Sequence, residues 1–466
     1  MTSAKFMDAS RRAFLKRASA LSLAGAAAPL ALNLAAFGEA AAATASDYKA
    51  LVCVFLYGGN DYANTLVPYD PTSYNLYQGL RPGLAYGHGS LAATALAPTL
   101  APRDAAGFAR EYALAPELAP LLPIFNAGKL GVMLNLGTLI QPTSKAQYLA
   151  NSIALPPKLF SHNDQQSFWQ SSAPEGASSG WGGRMGDLLE AGNGNATFSC
   201  VNVSGNAVFL SGKTTMQYQM STSGPVPMSA LASPMFGSTA CSNALRSIIT
   251  APRAQLFEAD YVKIMNRSIS ANTVLSAALA SASAITTPFP TSNSLADQLK
   301  MVARMIASAD KLAAKRQVFF VSLGGFDNHD GLGTIHPDLL SKLGKALSAF
   351  YQATVDLGVA AQVTTFTASD FGRTLTVNND GSDHGWGSMH FVLGGAVHGQ
   401  RYYGIPPAIA NNGPDDVGQG RLLPTTSIDQ YAATLGKWFG ISDSDLLSVL
   451  PNLANYNASN RNLGFV

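Results

Sequence analysis

The sequence predicts an α/β fold in which a mostly parallel sheet carries helices on both faces. Three observations lead there. The runs "ALVCVFL" (50–56), "LGVMLNL" (130–136), "QVFFVSL" (317–323) and "QVTTFTA" (362–368) are apolar throughout, or nearly so, with no polar alternation. Such runs suit strands buried on both faces. Segments with a helical stripe separate several of them, and strands alternating with helices imply parallel crossovers. Finally, several of these strands run through Gly into Asn, Asp and His, which are poor strand formers, and Asp and His are good ligands for divalent metals.

Taken in order, the N-terminus comes first. Arg11 and Arg12, followed by Phe14, Leu15 and Lys16 and a long Ala/Leu segment, predict a twin-arginine export signal over residues 1–45. The expected product begins near residue 46, is periplasmic or extracellular, and has the export machinery as one partner. No later run reaches the roughly 18 apolar residues of a membrane helix, so stable membrane insertion is not expected. Residues 1–45 hold five basic and two acidic side chains, which leaves 25 basic and 26 acidic, net −1. That balance gives no electrostatic case for nucleic acid. Three cysteines make no disulfide framework; Cys53 reads as a core thiol, and a Cys200–Cys241 pair stays open.

Residues 46–466 read as one large α/β domain. "FSCVNVS" (198–204) and "HFVLGGAV" (390–397) are further strand candidates. "SLADQLKMVARMIASADKL" puts Leu295, Leu299, Val302 and Ile306 on one stripe. "HPDLLSKLGKALSAFYQATVDLG" does the same with Leu339, Leu343, Leu347, Phe350 and Tyr351, with Pro337 in its first turn. "TTSIDQYAATLGKWFG" has a cap at Ser427 and ends on Gly440. Residues 205–245 lack periodicity, and 253–285 turn helical with Phe257, Tyr261, Ile264 and Met265 on one face. About 205–292 is therefore expected to be a helical insertion between core strands.

In a parallel α/β sheet, ligands bind beyond the carboxyl ends of the strands. The first strand ends in "YGGNDYANT", giving Asn60, Asp61 and Asn64; the third in "GGFDNHD", giving Asp327, His329 and Asp330. The fourth ends in "SDFGRT", with Asp370 and Arg373, and soon reaches Asp380, Asp383, His384 and His390. After the second strand, "LFSHNDQQSFW" places Ser161, His162, Asn163 and Asp164 where a helix can begin. Carboxylates gathered in a crevice repel one another unless a proton or cation intervenes. Two or more Asp with two or three His and no Cys suits Zn²⁺, Mn²⁺, Mg²⁺ or Ca²⁺. Each piece also has a plainer reading. "GGND" and "GGFD" suit Gly-rich turns, Asp370 and Ser161 suit helix caps, and His162 and His390 suit hydrogen-bonded structural positions. His88, His336 and His398 read as structural or surface residues.

In this order, the leader, "GGND", "SH" before a helix, "GGFDNHD", "SDFGRT" and "DHG" resemble the DUF1501 family, over about residues 49–440. Its members are similar to the alkaline-phosphatase and sulfatase superfamily. The resemblance implies a three-layer α/β/α sandwich, alkaline-phosphatase-like, with one or two metals at the strand ends and a small anionic ester as substrate. It implies Asp61, Ser161 and Asp370 at one metal, with Ser161 as nucleophile, and Asp327, His329 and His384 at the other. Arg373 or Asn64 would hold a nonbridging oxygen. The sequence departs from the superfamily pattern in three ways: Phe371 follows Asp370 where a His is usual, Asp327 and His329 are closely spaced, and no Cys or Ser stands in a C/S-x-P-x-R context. The expected function is an exported metal-dependent hydrolase of phosphate or sulfate esters. The alternative is a catalytically reduced relative that binds or assembles at the envelope.

Overall fold

The computed structural model describes residues 47–466; the leader read at residues 1–45 lies outside them. The strands are β1 (Lys49–Leu56), β2 (Leu66–Pro68), β3 (Tyr112–Leu114), β4 (Leu130–Gly137), β5 (Cys200–Asn202), β6 (Tyr218–Gln219), β7 (Arg316–Leu323), β8 (Val363–Ser369), β9 (Ser388–Gly394), β10 (Arg401–Tyr403) and β11 (Thr426–Ser427). The main sheet runs β10-β4-β9-β8-β1-β7-β5-β6, with β11 beside β4; β2 and β3 form a separate ribbon. The helices used below are α1 (Pro71–Leu80), α2 (His162–Ser171), α3 (Trp181–Leu189), α4 (Thr239–Thr250), α5 (Leu256–Ser281), α6 (Ser294–Ala307), α7 (Leu332–Asp356) and α8 (Ile428–Phe439).

Period-two alternation along β1 divides the molecule into layers. Ala50, Val52, Val54 and Leu56 enter one core with Leu295 and Val302 of α6 and Leu343 and Phe350 of α7. Leu51, Cys53 and Phe55 enter the other with Phe168 of α2, Met185 of α3 and Tyr431 of α8. Each fully buried Leu or Phe contributes roughly 1.5–3 kcal/mol, so a strand apolar on both faces stabilises both layers. The three-layer α/β/α arrangement follows.

The strand register sets the functional edge. β1 pairs parallel with β7 up to Leu56↔Leu323, and with β8 up to Leu56↔Ser369. Three strands thus finish level with one another. One expectation about direction changes: β9 is antiparallel to both β8 and β4. β4 therefore points the same way as β8 but touches the parallel block only through β9. Because β9 runs backwards, it starts at the edge where β1, β7 and β8 end.

The caps behave as their residues require. Ser427 forms a reciprocal capping box with Gln430, and Gly440 closes α8 at φ +114°. α7 begins earlier than its sequence indicates, at Leu332, so Pro337 lies inside it rather than in the first turn. Pro337 forfeits only the bond that would reach back to Gly333. The segment 205–292 is partly a sheet element, because β6 pairs with β5 at the edge. Phe257, Tyr261 and Ile264 of α5 are exposed, while Val262, Ala271, Leu275 and Ala278 are the buried residues of that helix. Cys53, Cys200 and Cys241 are free thiols.

Candidate metal centre

Loops leaving the three level strand ends meet backbone to backbone. Gly58 after β1 sits at φ +114°, and a Cβ there would lie 2.3 Å from the Asp327 nitrogen after β7. Only glycine permits both that conformation and that approach. After β8 the chain turns back on itself. Gly372 N–H donates to the Trp386 carbonyl at 3.0 Å, and Thr374 N–H to the Asp383 carbonyl at 3.0 Å. This ribbon returns His384 to the level of Arg373, just before β9 begins. α2 begins at His162, with Ser161 at the N-cap position but making no side-chain cap bond.

Three imidazoles and a carboxylate converge there. His162 Nε2 and His329 Nε2 each lie 3.0 Å from His384 Nε2. Asp327 Oδ1 is 3.1 Å from His329 Nε2 and 3.2 Å from His384 Nε2, and Asp327 Oδ2 is 3.3 Å from His162 Nε2. Ligand atoms of His162, Asp327 and His384 all fall within 4.8 Å of one another.

The outer nitrogens fix the tautomers. His162 Nδ1 donates to Asp370 Oδ2 at 2.6 Å, His329 Nδ1 to Asp383 Oδ1 at 3.2 Å, and His384 Nδ1 to the Phe160 carbonyl at 2.7 Å. With a proton on each Nδ1, every neutral ring turns an Nε2 lone pair inward. Lone pairs 3.0 Å apart repel unless a proton or a cation lies between them. The donor set decides which is the better fit. Ligands on a tetrahedral zinc, with bonds of about 2.0–2.1 Å, stand roughly 3.3–3.4 Å apart, close to the 3.0–3.3 Å separations here. Imidazoles oriented from behind by oxygen are the usual outer shell of such a site.

The surrounding groups hold the constellation. Asp370 is fully buried; its Oδ2 also accepts from Gly58 N–H at 3.1 Å and Gln166 Nε2 at 2.9 Å. Its Oδ1 is buried without a hydrogen-bond partner, which leaves an acceptor for a water or ion. Arg373, also fully buried, donates through Nη1 to Asp327 Oδ1 at 2.5 Å and to the Gly58 carbonyl at 3.2 Å, and through Nη2 to the Ser382 carbonyl. Phe160 holds a left-handed φ of +73°, a strained conformation for a bulky residue. Arg421 stacks on its ring at 4.8 Å and donates to the His384 carbonyl at 2.8 Å, clamping the pair.

Charge follows the contacts. Hydrogen bonding to Asp370 raises the His162 pKa above the ordinary imidazole range, with burial pulling the other way. Burial works to raise Asp327, but Arg373 prevails and holds it below the ordinary carboxylate range. Burial lowers His384, opposed by the Phe160 carbonyl.

Of the residues singled out from sequence, Asp327, His329, Asp370, Arg373 and His384 come together. Asp370 stands behind His162 rather than among the inward-facing atoms. Asp61 does not join. Both it and Arg81 are buried, its Oδ2 pairs with Arg81, and its Oδ1 accepts from Ala63 and Asn64 N–H. A buried guanidinium and two turn amides satisfy that carboxylate without a metal. Asn64 is likewise committed, to the Leu84 carbonyl and the Tyr77 hydroxyl. Ser161 Oγ donates to Asp164 Oδ2 at 2.9 Å. His162, placed above among the edge clusters but left out of the ligand set the resemblance implies, is a central member. His336 and His390 are the structural histidines, buried and with pKa values pushed down to about 4 and about 3 by burial.

The family description "Protein of unknown function (DUF1501)" matches residues 48–450. The chain belongs to the DUF1501 family. Among solved structures, this DUF1501 chain is similar to Ps i-CgsB in complex with k-i-k-neocarrahexaose, at 10% identity and a TM-score of 0.35, over 88% of this chain and 77% of that one. It is also similar to the lipoteichoic acid synthase LtaP from Listeria monocytogenes, at 10% identity and a TM-score of 0.33, over 86% and 74%. Likeness at this level assigns neither residues nor an activity. No curated protein matches the chain. Among the described residues, no helix is long and apolar enough to cross a membrane.

Proposed function

We propose that the chain is a metal-dependent hydrolase of phosphate or sulfate esters on an alkaline-phosphatase-like fold. Its substrate is a small anionic ester, and it reaches the periplasm or exterior through the twin-arginine machinery. The observation that carries this reading is the meeting of His162 and His384 Nε2 with Asp327, His329 Nε2 lying 3.0 Å from His384 and 3.1 Å from Asp327, with every Nδ1 facing oxygen. When bound, the ion supplies Lewis acidity toward the ester and lowers the pKa of a water. His162, His384 and Asp327 hold it, and His329 completes the set or serves a second ion. Three imidazoles favour zinc over magnesium or calcium.

The other residues divide the remaining work. Asp370 and Asp383 keep the rings aimed. Arg373 is committed to Asp327 and two carbonyls, so it positions that carboxylate rather than gripping substrate. In this reading water is the attacking group; Ser161 Oγ donates to Asp164 Oδ2, away from the inward-facing Nε2 atoms. The alternative, a catalytically reduced envelope protein, rests on Phe371 standing where a His is usual. His162 Nε2 faces the cluster, 3.0 Å from His384 Nε2, and Phe371 packs 4.8 Å from both the His162 and His384 rings.

The test is metal content by plasma mass spectrometry of protein purified without chelators, followed by assay on 4-nitrophenyl phosphate and 4-nitrophenyl sulfate. Near-stoichiometric zinc, lost in Asp327→Ala, is expected. A chain that takes up no ion even after reloading sinks the proposal.

A further inference from the structure

We propose that the polar recess beside the cluster is a subsite for a neutral, polyhydroxylated group the size of one sugar ring. The inference rests on the ester-hydrolase reading and names the alcohol half of its substrate.

The recess, about 290 Å³, opens where the end of β1, the first turns of α2, residues 175–177 and residues 206–208 meet. Its polar side chains include Tyr57, Asn163, Gln166, Gln170, Glu175 and Asn206, while the Ser167 hydroxyl is turned to the Pro174 carbonyl. Gln166 belongs to both places, since its Nε2 donates at 2.9 Å to the Asp370 oxygen that holds His162. Recess and cluster therefore share a wall.

The lining has the chemistry of a hydroxyl reader. A carboxamide offers one acceptor and two donors in a plane, and four amides line this space. Gln166 Nε2 serves Asp370, Gln170 Oε1 the Phe209 N–H and Asn206 Oδ1 the Gln217 Nε2, which leaves the other end of each of those three, and Asn163, to a ligand. Tyr57 adds a phenol beside an aromatic face, its ring 4.6 Å from Phe55. Burial pushes its pKa up to about 12, so the phenol stays a donor. None of the lining residues is Lys, Arg or His, which makes the recess a poor home for the ester anion. Exposed Glu175 repels an anion and accepts from a hydroxyl. The volume sits near the lower end of the roughly 300–1,000 Å³ usual for ligand clefts, which fits one ring rather than a chain.

The experiment is ligand-observed NMR on the full chain with unesterified glucose, galactose, N-acetylglucosamine and glycerol, titrated for affinity. The variants are Tyr57→Phe, Asn163→Ala and Asn206→Ala, singly and combined, each checked for wild-type melting and metal content. At least one sugar should bind more tightly than glycerol, and the combined variant should bind it at least about tenfold more weakly. No sugar binding, or binding that none of the variants changes, overturns the proposal. The readout needs no turnover, so the two readings fail separately. Sugar binding without hydrolysis of either nitrophenyl ester counts against the hydrolase alone. Ester hydrolysis without sugar binding counts against the subsite alone.

Discussion

Replacing Asp383 with Ala perturbs the cluster without removing an inward-facing atom. Asp383 Oδ1 accepts from His329 Nδ1 at 3.2 Å and from Asn378 Nδ2 at 2.6 Å. The first bond keeps the His329 proton on Nδ1 and aims Nε2 at His384 and Asp327. Without it, the two tautomers compete and the ring is free to turn. Loss of such an outer partner costs roughly 10–100-fold in metal affinity, about 1.4–2.7 kcal/mol. The bond is long and the carboxylate is 39% exposed, so the low end, about tenfold, is the expectation. Asp383→Asn keeps an acceptor while losing its charge, and should fall between wild type and Ala. Competitive titration of zinc against a chromophoric chelator reads all three. Equal affinities, or an Asn variant weaker than Ala, would refute the tautomer argument.

Three further outcomes follow from the same geometry. Asp61→Ala strands the buried Arg81 guanidinium and should cost about 3–5 kcal/mol in a denaturant melt, with metal content unchanged; loss of metal would return Asp61 to the ligand set. Ser161→Ala should retain wild-type-like turnover of a nitrophenyl ester, whereas collapse of turnover would make Ser161 the nucleophile. Asp429, buried in α8, has its pKa raised to about 6 by burial from an ordinary value of 3.8. Its folded form binds the proton more tightly than its unfolded form, so stability falls as pH rises from near 4 through 6. Asp429→Asn should therefore stabilise the fold above pH 6, by on the order of 1–3 kcal/mol in a denaturant melt, and give nothing below pH 4. An equal gain at both ends of that range would rule out the titration.

The layers were legible because burial on both faces writes an apolar run with no alternation. β1, β4, β7 and β8 carry that signal, and all four lie within the main sheet. Strand direction was not legible. "HFVLGGAV" is equally apolar read either way, and only pairing makes β9 antiparallel. The site was half legible. Gly-Gly-x-Asp at a strand end marks a tight turn carrying a carboxylate, but not what the carboxylate meets. For Asp61 the partner is Arg81, which in "QGLRPG" looks like a surface residue and is fully buried. For Asp327 it is the histidine cluster. His162 had the same local signal as Ser161, at the head of a helix, and nothing local says which of two adjacent side chains faces inward.

The inward-facing atoms come from three stretches distant in sequence: the head of α2, the loop after β7 and the ribbon before β9. An unfolded chain has no way to hold them together. Ion affinity on this reading belongs to the native strand register alone. By mass action, an ion at a hundred times its dissociation constant then adds roughly 2.7 kcal/mol to folding. On the proposed metal reading, folding equilibrium and ambient ion supply become a single variable: the chain would be sturdier wherever the ion is plentiful, and chelation alone would soften it.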